Sequence, residues 1–156
     1  LSAPVHIYTD GACSGNPGRG GYGIVMLYGT HRKEMYEGFR MTTNNRMELL
    51  SVIVALESLK KEGLEVIVFS DSKYVVNAFE ENWIYGWQKR GWAKVKNVDL
   101  WKRLVIAMKK HRVKFTWVKG HADNVENNRC DELAVAAYKM PNLHIDYAFE
   151  ESLKQV

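Results

Sequence analysis

The sequence predicts an α/β domain, and three observations carry that prediction. Two short β-rich runs, Val5-His-Ile-Tyr-Thr-Asp10 and Val66-Ile-Val-Phe-Ser-Asp71, each end in an aspartate. Leu49, Val52, Ile53, Leu56 and Leu59 form one apolar stripe at helical spacing between those runs. Beyond Asp71, helical and strand patterns alternate. A carboxylate at the carboxyl end of a buried strand stands where open α/β sheets place their ligands. Two such strand ends suggest a shared cation, which further residues would have to complete.

Taken in order, Val5 to Asp10 is the first strand. Gly11 to Gly23 follows with six of the twelve glycines and contains a literal G-x-G-x-x-G from Gly18 to Gly23. A dinucleotide fingerprint requires a helix next, but Ile24-Val-Met-Leu-Tyr28 reads as a strand, so the cofactor reading is rejected. The glycine segment is instead expected as a loop that turns a hairpin and lets backbone come close to a ligand. Lys33 to Arg40 is a weaker third strand, and the short connections make strands one to three an antiparallel meander.

Thr42-Thr43-Asn44-Asn45 opens the first helix, which runs to Gly63. Glu48 is either the capping-box partner of an Asn45 N-cap or a functional carboxylate. Asn44 and Asn45 are equally open between caps and ligand-facing amides. Asp71 or Ser72 could simply cap the helix of Tyr74, Val75, Ala78 and Phe79. Asp99 to Lys110 is a further helix, and Val113 to Val118 alternates as a strand. That strand leads into the polar loop Lys119-Gly120-His121-Ala122-Asp123. A last helix is expected from about Asn127 to Pro141, with Asp131 one place from its apolar stripe; alone, Asp131 reads as a solvated helix residue. Residues 141–156 show no legible chemistry.

Length and composition bound the function. At 156 residues the chain is expected to be one domain, with its core over about 4–140 and a tail over 141–156. No apolar run exceeds six residues, far short of a membrane span. Leu-Ser-Ala-Pro at the start lacks a basic region and a long apolar core, so no signal peptide is expected. Cys13 and Cys130 are the only cysteines, which excludes a disulfide framework or thiolate zinc cluster. A soluble, cytoplasmic protein, monomeric and without membrane contact, is the expectation.

Charge narrows the partner. The net charge is +4, and Trp83 to Arg103 holds Lys89, Arg90, Lys94, Lys96, Lys102 and Arg103 against Asp99 alone. That segment carries +5 and the remainder −1, which favours a polyanion there. Trp83, Trp87 and Trp92 are interleaved with these cations. Trp83 and Trp87, four apart, suit packing a short helix onto the body; aromatic and cationic residues together also suit a nucleic-acid backbone.

Five blocks now carry a family resemblance. They are Tyr8-Thr-Asp10-Gly with Gly15-Asn16-Pro17-Gly18, Thr43-Asn44-Asn45-Arg46-Met47-Glu48, Ser70-Asp71-Ser72, Val118-Lys-Gly-His121, and Arg129-Cys130-Asp131-Glu-Leu-Ala134. In this order and spacing the chain resembles type 1 ribonuclease H of the bacterial kind, over roughly residues 4–140. The resemblance implies a ribonuclease H-like fold, a five-stranded mixed β-sheet flanked by α-helices, with strands 1–3 antiparallel and strands 4 and 5 parallel. It implies a catalytic tetrad of Asp10, Glu48, Asp71 and Asp131 holding two magnesium ions, with manganese as a substitute, and an assisting His121. The implied reaction is endonucleolytic hydrolysis of the RNA strand of an RNA–DNA hybrid, leaving 3′-hydroxyl and 5′-phosphate ends. Cys13, Asn16, Thr43, Asn44, Asn45 and Asn97 match positions that contact the hybrid in relatives. The basic segment with Trp83, Trp87, Lys89, Arg90, Trp92, Lys94 and Lys96 matches the family's basic protrusion. It is shorter here between Trp92 and Val95, and Met41 stands where many relatives place an arginine beside the phosphate pocket, next to Arg40.

The residue types fit that chemistry. Phosphodiester hydrolysis requires an activated water and a stabilised leaving oxygen on an anionic substrate. Two hard cations can supply both, and they demand oxygen ligands. Two rivals are a non-catalytic hybrid-binding module, which would not need four acids, and another metal nuclease on the same fold.

Overall fold

The computed structural model describes residues 3–120 and 122–155. The elements in chain order are β1 (Val5–Ser14), β2 (Gly18–Tyr28), β3 (His31–Thr42), α1 (Asn44–Glu57), β4 (Glu65–Ser70), α2 (Lys73–Glu80), α3 (Trp83–Lys89), α4 (Val98–Met108), β5 (Arg112–Trp117), α5 (Val125–Tyr138) and α6 (Tyr147–Leu153). The strands form one sheet in the order β3-β2-β1-β4-β5. β1 and β2 pair antiparallel, as do β2 and β3, whereas β1–β4 and β4–β5 are parallel. This is the mixed five-stranded sheet that the family resemblance implies.

The alternation of side chains along the inner strands sorts the core onto two faces. Ile7, Ile24, Met26, Val66 and Val68 join the larger cluster with Leu49, Val52, Ile53 and Leu56 of α1 and Trp101 and Leu104 of α4. Val25 and Leu27 point the other way and meet Cys130 and Leu133 of α5, with Tyr8 beside them. Helices α1, α2 and α4 therefore belong to one face and α5 to the other. Trp101 is fully buried, with the rings of Tyr74, Phe79 and Trp87 around it.

The glycine-rich segment departs from expectation. It is strand rather than loop: β1 continues to Ser14, β2 begins at Gly18, and only Gly15-Asn16-Pro17 turns the chain. The glycines serve packing. A Cβ on Gly21 would stand 2.6 Å from the Ala134 carbonyl oxygen, so bare backbone lets α5 lie directly on the sheet. Two helix starts also differ. Thr43, not Asn45, caps α1 by accepting from the Arg46 N–H at 3.2 Å. α5 begins at Val125 behind an Asn124 cap. The tail, unreadable in sequence, forms a β-bridge between Phe39 and His144 and then α6.

Candidate active site

The parallel register of β1 and β4 brings two acids together. Thr9 pairs with Ser70, so Asp10 and Asp71 follow side by side where the two neighbouring strands end their pairing. Glu48 arrives from α1 because Gly11 permits it. A Cβ at residue 11 would lie 2.6 Å from the Glu48 backbone nitrogen, so the bare backbone of β1 seats that turn of α1 beside Asp10. The result is a cluster in which Asp10, Glu48 and Asp71 each offer a carboxylate oxygen, all within 4.8 Å of one another.

The capping alternatives left open by the sequence are now decided. Ser72 caps α2, its Oγ accepting from the Val75 N–H at 3.3 Å, which leaves the Asp71 side chain uncommitted to that role. Thr43 caps α1, so Glu48 is not reciprocating an Asn45 cap. The loop after β5 presses on Asp71: a Cβ on Gly120 would meet Asp71 Oδ2 at 2.8 Å. Trp117 fixes the backbone there, its indole N–H donating to the Asp71 carbonyl at 3.1 Å.

Electrostatics mark the cluster as unfinished. Asp10 and Glu48 are each only 5% exposed. Burial, followed by the nearby charges of Asp71 and Asp131, pushes the Asp10 carboxyl up to about 8, against the Gly11 N–H that donates to its Oδ1 at 3.0 Å. Burial and the charges of Asp10 and Asp71 raise Glu48 well above the usual carboxylate range. Glu48 Oε1 is buried without a hydrogen-bond partner among the described residues. Three hard oxygen donors, one of them orphaned, fit a divalent cation. Asp131, half-buried on α5, is near enough to raise Asp10 but does not join the 4.8 Å group. His121 lies outside the described residues.

The other predicted residues fall into two groups. Cys13, Asn16, Thr43 and Asn44 meet at one corner: Cys13 Sγ lies 3.5 Å from the Thr42 carbonyl, and Asn16 Oδ1 accepts from the Asn44 N–H at 3.1 Å. Asn45 is exposed beside them. In the basic segment, Lys89, Arg90, Lys94 and Lys96 are exposed and form no ion pair among the described residues. Trp87 packs on Trp101 at 5.0 Å between ring centroids, and Trp92 packs against the same core; Trp83 remains 47% exposed. Asn97 ends the segment in a left-handed conformation, donating to the Tyr74 hydroxyl at 3.0 Å.

Sequence reasoning passed over Arg46. Its side chain is buried and bonds to Asn97, Asp99 and Asp146. The available signal was its place three residues before Leu49 and seven before Ile53, on the apolar stripe where an arginine requires partners. Arg40, the neighbour of Met41, is committed to Glu150 through two bonds of 2.9 and 2.8 Å.

The chain resembles known proteins in both sequence and fold. Residues 2–139 match the RNase H family. The chain is 59% identical over 147 residues to "Ribonuclease H" of Desulforamulus reducens, covering 91% of this chain and 92% of that one. It is 54% identical over 151 residues to "Ribonuclease HI" of Shewanella oneidensis, covering 94% of each. Among solved structures it is similar to LC9-RNase H1, a type 1 RNase H with the type 2 active-site motif. The TM-score is 0.81 at 33% identity, over 89% of this chain and 74% of that one. LC11-RNase H1, solved in complex with an RNA/DNA hybrid, superposes with a TM-score of 0.65 at 27% identity, over 86% of this chain and 96% of that one. Sequence match, sheet order and the acids at the strand ends converge: the chain belongs to the RNase H family of enzymes.

Proposed function

We propose that this enzyme cuts the RNA strand of RNA–DNA hybrids internally, using two magnesium ions held by Asp10, Glu48, Asp71 and Asp131, and leaves 3′-hydroxyl and 5′-phosphate ends. The observation that carries this reading is the carboxylate trio, two of its members buried and Asp71 half-buried, whose oxygens lie within 4.8 Å of one another, with Glu48 Oε1 unpartnered among the described residues. A fold gains nothing from such a group unless a cation completes it. When bound, divalent ions of this kind neutralise phosphate charge, activate water and stabilise the leaving oxygen.

The chain's own residues do the rest. Lys89, Arg90, Lys94 and Lys96 neutralise backbone phosphates from an exposed ridge. The corner of Cys13, Asn16, Thr43, Asn44 and Asn45 faces the RNA strand. Asn16 uses its Oδ1 to accept from the Asn44 N–H, which orients the amide and leaves its NH2 to donate toward substrate. Asparagine amides of this kind read the 2′-hydroxyl that distinguishes RNA from DNA. His121 is assigned an assisting role in turnover, as a proton carrier and not a metal ligand. The LC11 relative, solved with a hybrid, supports the choice of substrate. No described helix is long and apolar enough to cross a membrane, and the working state we propose is a cytoplasmic monomer.

The test is cleavage of a labelled RNA–DNA hybrid, with duplex DNA as control, in magnesium and in excess chelator. Internal cuts confined to RNA and absent in chelator are expected. Equal cutting of DNA favours another metal nuclease on this fold, and binding without cutting favours a hybrid-binding module.

A further inference from the structure

Residues 140–155 lie beyond the family match, yet they include a buried acid, Asp146. The tail adds to the edge of β3: Arg40 N–H donates to the His144 carbonyl at 3.0 Å and His144 N–H to the Gly38 carbonyl at 2.9 Å. This delivers Asp146, the α6 N-cap, to a buried position. There its Oδ2 accepts from Thr42 Oγ1 at 2.7 Å and from Arg46 Nε at 2.7 Å, and its Oδ1 from an Arg46 terminal nitrogen at 3.0 Å.

Arg46 spends its remaining bonds across the molecule. Its two terminal nitrogens donate to Asp99 at 2.9 and 2.7 Å, and one also to Asn97 Oδ1 at 3.3 Å. Asn97 passes the link on through its amide to Tyr74 Oη, which also accepts from the Trp101 indole at 3.2 Å. The planar guanidinium thus joins three pieces of chain that sequence keeps apart: the Thr42–Asn45 corner, the end of the basic segment, and the tail. A fork geometry of this kind fixes direction as well as distance, which a lysine could not do.

We infer that Arg46, braced by Asp146 of the tail, is a positioning residue for substrate binding: it holds Asn97 and the end of the basic segment in register with the corner at the start of α1. The inference rests on the hybrid-cleaving reading above. Asp146 touches no reacting group, so its influence falls on hybrid affinity and leaves the chemical step alone. Loss of the Asp146 carboxylate frees one edge of Arg46, and Asn97 loses its fixed orientation.

The experiment is a double-mutant cycle of Asp146→Asn and Asn97→Ala, read as hybrid Kd in chelator and as KM and kcat in magnesium, well below each variant's Tm. Asp146→Asn should weaken hybrid binding and raise KM about three- to twentyfold, within the span of couplings inside one hydrogen-bonded network. Its kcat should stay within about twofold of wild type, as removal of uniform binding requires. The double variant should bind little worse than Asn97→Ala. Arg46→Lys, which keeps the charge but not the fork, should not restore wild-type affinity. Additive effects, wild-type affinity in Asp146→Asn, or an equal fall in kcat overturn the inference. Where Asp146→Asn does not stay folded, Asp99→Asn, altering the more exposed partner of Arg46, takes its place in the cycle with the same outcomes. A wild-type protein that binds and cuts no hybrid instead overturns the functional reading and this inference with it.

Discussion

At the scale of single residues, Asp71 offers the cleanest measure of what the site imposes on the fold. Its side chain caps nothing, because Ser72 does, and its backbone carbonyl is held by Trp117 whatever the side chain carries. Asp71→Asn therefore removes one negative charge from beside Asp10 and Glu48 and disturbs little else. Cleavage should be abolished, and the metal-free protein should gain about 0.5–2 kcal/mol, the usual range for a single stabilising change. Magnesium should narrow that gap by binding the native wild-type site. Urea melts in chelator and in magnesium, run beside a cleavage assay, check this; an active or clearly weakened variant removes Asp71 from a repulsive cluster. The sequence made Asp10 and Asp71 legible because strand ends place their side chains by rule. Glu48 was ambiguous because its approach depends on Gly11, 37 positions away, having no side chain. Arg46 was missed for a similar reason: its acids lie at positions 99 and 146, which sequence spacing does not bring together.

At the scale of elements, the basic segment separates two roles that its sequence mixes. Trp87 and Trp92 point inward and attach the segment to the core, while Lys89, Arg90, Lys94 and Lys96 face solvent. Replacing these four cations with alanine should leave folding intact and raise KM. It should also flatten the logarithmic salt dependence by somewhat under one unit for each backbone phosphate no longer neutralised. Hybrid titrations at several salt concentrations measure both, and an unchanged slope would make the ridge structural. The same scale explains where reading the sequence stopped. Amphipathic stripes and alternating strands act locally, so α1, α2, α4 and β5 were legible within a few residues. The glycine-rich stretch reads as loop in the sequence because two of its glycines, Gly21 and Gly23, answer to α5, more than a hundred positions later. The tail was silent because α6 is one short helix held by its partners, Arg40 with Glu150 and Arg46 with Asp146, rather than by a pattern of its own.

At the scale of the whole molecule, five acids form two sets whose pH dependences oppose one another. Asp99, Glu34 and Glu150 sit beside arginines that hold them below the usual carboxylate range. Their contribution is present above the unfolded carboxylate pKa and is lost as pH falls toward the folded value, in strongly acid solution. Asp10 and Glu48 behave in the reverse sense. Their folded pKa values are raised, Asp10 to about 8 from 3.8, so the native state retains protons that the unfolded chain releases. Stability from this pair is fully present below the unfolded pKa and disappears as pH rises through the folded one. His111, whose pKa burial lowers, adds a smaller opposing rise in stability as pH passes its ordinary value of 6.5. In chelator, then, the protein should be more stable near pH 5 than near pH 8. Magnesium should flatten or reverse that slope, because it binds the deprotonated native cluster and binds it better as pH rises. Asp10→Asn should flatten it without any metal. Urea midpoints for both proteins across pH 5 to 8, with and without magnesium, measure all three effects. A wild-type midpoint in chelator that rises steadily over this range would mean that the buried acids are already ionised at pH 5, and that the fold tolerates their repulsion without a cation.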